Sequence, residues 1–212
     1  MDGDRPRTLL DGSIAALSAL LRELFLPPNL LSMLLAHAAA VAIDADRLGL
    51  VSERTIDAVV SRHTADSLLF ALVKRPLPED AWVDVGSGAG FPGLVLACCF
   101  PDARFTLVEP QKRRAGFLEL QLHQLGLKNT EVLAARAVEL EPVFDVATAR
   151  ALAEPLLALE ALKSLVKPEG SVLLAVGDRA IAPPDATDLD VARAGVDSPG
   201  RIFMIAEARG GA

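Results

Sequence analysis

The sequence predicts an α/β protein in which a mostly parallel β-sheet carries helices on both faces, preceded by a helical N-terminal extension. Two observations predict this class. In the first part of the chain, apolar residues recur every three or four positions, which is typical of helices. From residue 81 onward, short apolar runs alternate with helix-like segments, which is typical of a parallel sheet. We therefore assign residues 1–78 to the extension and residues 79–212 to the core.

The extension is predicted to contain three helices. The segment Leu9–Ile43 has helical periodicity, and the Pro-Pro-Asn sequence at 27–29 divides it into two helices. A third helix is expected over Arg54–Leu72, with Ser52 as its N-cap.

The core is predicted to alternate strands with helices. The predicted strands are Ala81–Val85, Arg104–Val108, Val132–Ala134, Val143–Thr148, Ser171–Val176 and Arg201–Ala206. The helices between them are Gly93–Phe100, Lys112–Leu125 and Pro155–Val166. The segment Pro183–Gly200 is rich in proline and aspartate and is expected to be a loop.

Composition predicts a cytoplasmic protein that does not enter membranes. Apolar runs are too short and mixed to span a bilayer, and the acidic N-terminus does not resemble a signal peptide. The adjacent Cys98 and Cys99 lie in an apolar run and are expected to be small buried residues. The three histidines are far apart in sequence, so no metal site is expected. The oligomeric state stays open.

A glycine-rich turn follows the first predicted strand. In VDVGSGAGFPG, Val83–Gly93, the glycines Gly86, Gly88 and Gly90 stand between a strand and a helix. Glycine permits a tight turn and lets a ligand approach the backbone, because it has no Cβ. The spacing differs from the G-x-G-x-x-G that binds a pyrophosphate, which disfavours a dinucleotide.

Two carboxylates accompany this turn. Glu109 ends the second predicted strand, where a carboxylate can accept hydrogen bonds from both ribose hydroxyls of a nucleoside. Asp84, just before the glycines, suits the ammonium group of a methionine moiety, directly or through water. Together they predict a site for S-adenosylmethionine, although Glu109 taken alone also fits a solvated surface residue.

Several motifs resemble those of the glucose-inhibited-division B family of bacterial methyltransferases. These are SRHTADSL at 61–68, the glycine turn, VEPQKRRAGFL at 108–118, ARA at 135–137 and FDVATARA at 144–151. The resemblance covers roughly Leu50–Arg179. It implies a Rossmann-like, class I methyltransferase fold, S-adenosylmethionine as cofactor, and methylation of a guanine ring nitrogen in small-subunit ribosomal RNA.

The resemblance also implies cofactor contacts at Gly86, Phe91, Ala137, Val138 and Arg150, with Glu109 on the ribose. Phe91 would pack on the cofactor, and the backbone around Ala137 would bind the adenine edge. Val138 stands where the family usually has glutamate, so only its main chain is expected to take part. Arg150 would lie at the mouth of the site or, alternatively, pair with a nearby acid on the surface.

Arg62, His63 and Asp66 fall on the family's R-H-x-x-D-S segment. They could touch the acceptor or cover the site, or they could attach the N-terminal helices to the sheet. Methyl transfer depends mainly on alignment, and a general base is needed only if the nucleophile must lose a proton early. If a base is used, His63 and Asp66 are the candidates. The basic segment Lys112–Arg114 is expected to be a solvated helix start.

The acceptor side departs from the family pattern. Val176 stands where lysine is typical, and the region beyond it is acidic, in a chain of net charge −7. DADRLG at 44–49 replaces an aromatic-plus-asparagine segment, and the C-terminal AEARGGA lacks the usual basic ending. Valine cannot contact phosphate and acidic residues repel it, which disfavours RNA.

These departures favour methyl transfer to a small neutral or cationic heteroaromatic molecule, such as an indole-like ring. Two alternatives stay open. The first is the family's activity on ribosomal RNA, and the second is a non-catalytic protein that only binds S-adenosylmethionine.

Overall fold

A seven-stranded β-sheet forms the centre of the computed structural model, which describes residues 5–150, 154–177, 179–191 and 200–206. The strands are β1 (Ala81–Val85), β2 (Arg104–Val108), β3 (Thr130–Leu133), β4 (Phe144–Arg150), β5 (Val166–Val176), β6 (Thr187–Val191) and β7 (Gly200–Ala206). The described α-helices are α1 (Arg5–Glu23), α2 (Leu30–Leu48), α3 (Ile56–Val59), α4 (Ala65–Val73), α5 (Gly93–Cys99), α6 (Lys112–Leu125) and α7 (Pro155–Lys163). A π-helical turn, Val60–Thr64, joins α3 to α4, and a 3-10 turn, Ala137–Glu139, follows β3.

The strand order is β3-β2-β1-β4-β5-β7-β6. Strands β1 to β5 run parallel, whereas β7 is antiparallel to both of its neighbours. The chain moves outward from β1 to β3 and then returns to β4 on the other side of β1. Open α/β sheets bind ligands outside the carboxyl ends of their strands at such a reversal. The ends of β1 and β4, which pair at Asp84 and Thr148, therefore mark a binding crevice.

Both faces of the sheet are buried, because side chains alternate between the faces of each strand. The face that includes Trp82 and Leu107 packs against α4, α5 and α6, and α1 and α2 pack on these helices in the same hydrophobic cluster. The opposite face, which includes Val83 and Phe203, packs against α7. Helix α5 is buried along its whole length, since it contacts β1 and β2 on one side and α2 and α4 on the other. The N-terminal helices thus share a hydrophobic core with the sheet.

The predicted α/β class, with a mostly parallel sheet and helices on both faces, is confirmed. The boundary between extension and core at residue 78 stays a prediction. The predicted third helix is interrupted by the π-helical turn, and it begins at Ile56 with Thr55, not Ser52, as the N-cap residue. The Ser52 hydroxyl instead donates to Glu53.

The segment Pro183–Gly200 is not entirely a loop, because it contains strand β6; residues 192–199 lie outside the described part. Ala151 of the FDVATARA motif, two aspartates of the acidic region beyond Val176 (Asp178 and Asp197) and the ending at 207–212 also lie outside it. Helix α7 ends at Lys163, before the predicted 166, because the chain continues directly into β5.

The two cysteines are buried and free of disulfides, as predicted. Burial raises the pKa of the Cys98 thiol to about 12. In the described part of the chain, the helices are too short or too polar to cross a bilayer.

The side chain of Asn129 joins the end of α5 to the start of β2. Its amide nitrogen lies 3.2, 3.1 and 3.1 Å from the carbonyl oxygens of Ala97, Phe100 and Ala103. We expect Asn129→Ala to lower the free energy of unfolding by about 1–3 kcal/mol, because half-buried carbonyls lose their donor. Urea unfolding checks this, with the exposed neighbour Lys128→Ala as control. A loss for Asn129→Ala within about 0.5 kcal/mol, as at ordinary surface positions, would contradict the assigned role.

Candidate functional site

The glycine turn lies at the carboxyl end of β1 and is fixed to β2. The backbone amides of Gly86 and Ser87 both donate to the Val108 carbonyl, at 2.8 and 3.1 Å. Gly86, Gly88 and Gly90 have φ angles of 72°, 55° and 95°, in the left-handed region that side chains disfavour. The backbone at Gly86 and Gly88 is partly exposed and open to close approach by a ligand. Gly90 is buried, and a Cβ there would lie 2.8 Å from the Leu94 Cβ, so this glycine is required by packing inside the protein.

Asp84 lies beneath this turn and is 2% exposed. Its Oδ2 accepts a hydrogen bond of 3.0 Å from the amide of Gly93, and its Oδ1 lies 3.4 Å from the Thr148 hydroxyl. A Cβ on Gly93 would lie 2.6 Å from the Asp84 Cβ, so only glycine fits at the start of α5. Burial raises the pKa of Asp84 to about 6. That Asp84 binds an ammonium group, directly or through water, stays a prediction; in this structure its carboxylate faces the Gly93 amide and Thr148.

Glu109 is also buried, at 3% exposed, and faces the turn. Its Oε2 accepts from the Gly88 amide at 3.0 Å, and its Oε1 accepts from the Gln111 amide at 2.9 Å. A carboxylate has about four acceptor sites, so each oxygen keeps a lone pair for a further donor. Glu109 is therefore an oriented carboxylate beside the turn, and the solvated-surface alternative is excluded.

Ala137 and Val138 lie on the 3-10 turn after β3, on the far side of Glu109 from the glycines. Ala137 is half-buried, whereas the Val138 side chain is 83% exposed. The structure thus leaves the Val138 side chain in solvent, which agrees with an expected contribution from its main chain alone.

Phe91 does not offer its ring to a ligand in this structure, because the residue is only 5% exposed. Its ring stacks on that of His63, with centroids 5.2 Å apart, and meets that of His37 at 5.1 Å. The Arg150 guanidinium lies 5.5 Å from its centroid. The packing of Phe91 on a cofactor stays a prediction; in this structure the helical extension covers this ring.

His37 was not identified from the sequence as part of the site. It lies on α2, is fully buried, and its Nε2 donates to the Ala89 carbonyl at 2.8 Å. Burial lowers the pKa of His37 to about 4, so the ring is neutral. This bond ties α2 directly to the glycine turn.

Arg150 lies at the carboxyl end of β4, with its side chain 17% exposed. One guanidinium nitrogen donates to the Arg62 carbonyl at 3.1 Å, and the other donates to His63 Nδ1. An Asp66 carboxylate oxygen lies 3.8 Å away. The structure thus brings together Arg62, His63, Asp66 and Arg150, and these contacts attach the extension to the sheet.

His63 is not available as a general base in this arrangement. Its Nδ1 faces Arg150, and its Nε2 lies 2.6 Å from a carboxylate oxygen of Glu53. Burial and the charge of Arg150 lower the pKa of His63. Burial alone would raise the pKa of Glu53, but the hydrogen bond from His63 and other partners lower it to about 2. Glu53 is a second residue that the sequence analysis missed.

A cavity of about 300 Å³ opens beside this cluster. Its polar wall comes from Arg62, His63, Asp66 and Arg150. Its apolar wall comes from α4, the end of β5 and the start of β7, and includes Leu69, Phe70, Val176 and Ile202. An acceptor in this cavity would meet cations on one side and apolar groups on the other.

The sequence predicted that the basic start of α6 is solvated, but two of its arginines contact the end of α2. Arg113 donates to the Arg47 carbonyl at 2.6 Å, and Arg114 donates to the Gly49 carbonyl at 2.5 Å. Cations at the end of a helix satisfy its last carbonyls and oppose its dipole. These two arginines therefore cap α2 and hold it against the core.

Comparisons with known proteins point to one family. The GidB family model, described as rRNA small subunit methyltransferase G, matches residues 31–191. A ribosomal RNA small subunit methyltransferase G of Halorhodospira halophila is 40% identical over 131 residues, 61% of this chain and 61% of that protein. Another, from Clavibacter sepedonicus, is 34% identical over 176 residues, 77% of this chain and 82% of its own. The chain thus spans less than two thirds of the first relative's length.

Solved structures share the fold. MtNAS, crystallised as a mutant with S-adenosylmethionine, superposes with a TM-score of 0.56 at 17% identity, over 83% of this chain and 73% of its own. A SAM-dependent O-methyltransferase of Thermotoga maritima superposes with a TM-score of 0.50 at 17% identity, over 69% of this chain and 66% of its own. These likenesses confirm the predicted Rossmann-like methyltransferase fold.

The raised pKa of Asp84 makes a pH-dependent contribution to stability. Between the ordinary aspartate pKa of 3.8 and the raised pKa of about 6, the folded protein binds the proton more tightly than the unfolded chain, so this contribution falls as pH rises. In Asp84→Asn, the amide oxygen still accepts from Gly93 but carries no charge. We expect the stability difference, variant minus wild type, to rise across roughly pH 4 to 6 and then level off. Urea unfolding of both proteins at each pH measures it, and a difference that is constant with pH would contradict this account.

Proposed function

The chain belongs to the GidB family of rRNA small subunit methyltransferases G, and from this premise we propose that it transfers a methyl group from S-adenosylmethionine to small-subunit ribosomal RNA. Within that RNA, we propose a guanine ring nitrogen as the acceptor. The observation that carries the proposal is the open glycine turn with the buried Glu109 carboxylate directed at it. This pair fits a nucleoside joined to an amino acid, and the turn occurs within the matched segment.

The residues present fit S-adenosylmethionine. Gly86 and Gly88 leave backbone free of side chains, and Glu109 has oriented acceptor sites for ribose hydroxyls. The main chain at Ala137 and Val138 lies at the neighbouring strand end and would meet the adenine edge. When bound, the cofactor supplies an electrophilic methyl group on a sulfonium. The protein's part is to orient both reactants and exclude water.

The cavity beside Arg150 is the proposed acceptor site. A flat base fits between its apolar wall and the cations Arg62 and Arg150, and arginine is a common partner of guanine oxygen and of phosphate. The Arg62 side chain is 73% exposed and can reach outward to the RNA backbone. Asp66 and His63 contact Arg150, so we assign them to positioning within this wall.

The small heteroaromatic acceptor favoured by the sequence departures is not supported, because the family and its relatives fit the RNA alternative better. One acid of the region beyond Val176 has a cationic partner. Asp185 is paired with Lys163 at 2.5 Å, so its charge is partly neutralised. A protein that only binds the cofactor is likewise not supported by its relatives' names.

Replacing Glu109 tests the cofactor site. We expect Glu109→Ala to weaken binding of S-adenosylmethionine by about 1–3 kcal/mol, since buried donors lose a charged acceptor. Glu109→Gln should bind the cofactor with an affinity between those of wild type and Glu109→Ala, because its amide oxygen can still accept from Gly88. Titration calorimetry measures the affinities, with Glu119→Ala on the exposed face of α6 as control. Equal affinities of Glu109→Ala and wild type would remove Glu109 from the site.

Transfer of labelled methyl groups tests the acceptor. Offered small ribosomal subunits, naked ribosomal RNA and a panel of heteroaromatic molecules, the protein should label guanine in the RNA. Labelling should fall steeply between about 50 and 200 mM salt, because phosphate contacts release counterions. Exclusive labelling of a heteroaromatic, with activity independent of salt, would overturn the RNA proposal.

A positive charge at the cavity rim should strengthen the RNA complex. We expect Val176→Lys to tighten RNA binding and to steepen its salt dependence by up to about one unit of slope, as one added phosphate contact does. Val143→Lys, at the opposite end of the parallel strands and 54% exposed, is the matched control with the same change in net charge. If both variants bind RNA alike, Val176 does not lie near the RNA.

A further inference from the structure

We infer that Glu53 is a positioning residue that holds Arg150 at the acceptor cavity by fixing the tautomer of His63; its role in catalysis rests on the function proposed above. Glu53 precedes α3, and its side chain is only 9% exposed. One carboxylate oxygen lies 2.6 Å from His63 Nε2, and the other lies 3.3 Å from the Arg62 guanidinium. A carboxylate removed from water is retained only with such partners.

The partners of His63 specify where its proton lies. Nε2 faces the ionised Glu53 carboxylate, which only accepts hydrogen bonds, so Nε2 must carry hydrogen. Nδ1 faces the Arg150 guanidinium, which only donates, so Nδ1 must present its lone pair. The ring is therefore neutral and protonated on Nε2. Glu53 selects this tautomer from the side opposite Arg150.

Arg150 depends on that tautomer for one of its bonds at the cavity wall. The π-helical turn Val60–Thr64 presents both His63 Nδ1 and the Arg62 carbonyl to the guanidinium, and the Phe91 ring lies below it. Without Glu53, Arg150 alone favours hydrogen on Nε2, and His63 gains access to the tautomer with hydrogen on Nδ1, which opposes an Arg150 N–H. In that tautomer the guanidinium loses one bond and is held over Phe91 only by the Arg62 carbonyl and Asp66. Glu53 thus acts on the cavity through His63 without lining it.

Two substitutions test whether Glu53 acts by accepting the hydrogen bond from His63 or by the charge and size of its side chain. Glu53→Ala removes the acceptor, whereas the amide oxygen of Glu53→Gln can still accept from Nε2. We expect Glu53→Ala to lower kcat for methyl transfer to small ribosomal subunits by roughly 10–100-fold, with unchanged affinity for S-adenosylmethionine. Glu53→Gln should keep most of the activity. Glu79→Ala, which breaks an exposed ion pair with Arg104, is the control and should match wild type.

The nitrogen-15 chemical shifts of His63 give a readout that does not need activity. Wild type and Glu53→Gln should show hydrogen on Nε2, and Glu53→Ala should show a mixture or the other tautomer. If Glu53→Ala does not fold, Glu53→Met supplies a bulkier side chain without an acceptor. An unchanged tautomer in the non-accepting variant, or a changed tautomer with wild-type activity, would overturn the inference. If the tautomer shifts but wild type methylates no RNA, the positioning of His63 stands and the proposed function fails.

Discussion

The hydrogen bond from the Gly93 amide to the buried Asp84 carboxylate sets the geometry of the whole site. It joins the end of β1 to the first residue of α5, and Thr148 brings β4 to the same carboxylate. No side chain fits at Gly93, so the helix and strand meet at a fixed, short distance. The glycine turn is held between these fixed ends, and its Gly88 amide therefore meets Glu109 at the end of β2. Two strands and one helix therefore meet at a single buried carboxylate, and Glu109 joins the third strand to the turn.

The helical extension is part of this geometry. His37 of α2 bonds to the turn, and Arg113 of α6 bonds to the end of the same helix. The π-helical turn supplies the contacts of Arg150. Because the extension and the sheet share one hydrophobic core, the cavity wall cannot move independently of the glycine turn. A boundary drawn at residue 78 divides the sequence, but the site draws on both parts.

The features that the sequence predicted correctly are those that local patterns encode, and the features that it missed depend on tertiary contacts. The glycine spacing and the strand that delivers Glu109 are local, and both are found in the structure. Strand β6 was missed because TDLDV has polar residues that are typical of loops, although its alternation suits an edge strand. The roles of Glu53 and His37 depend on partners 10 and 52 residues away, which no periodicity reveals. The burial of Asp84 beneath the turn is a property of packing, which the sequence around it does not reveal.

The complete burial of α5 gives this chain a built-in reporter. Cys98 and Cys99 lie on that helix, and burial keeps both thiols protonated at neutral pH, so neither reacts readily in the native state. Alkylation of these thiols requires α5 to separate from the sheet or from the extension, and its rate follows the frequency of that local opening. Helix α5 begins at the Asp84 contact, so the rate at which the two cysteines react measures how firmly the turn is held. A bound ligand that stabilises the turn would slow their alkylation.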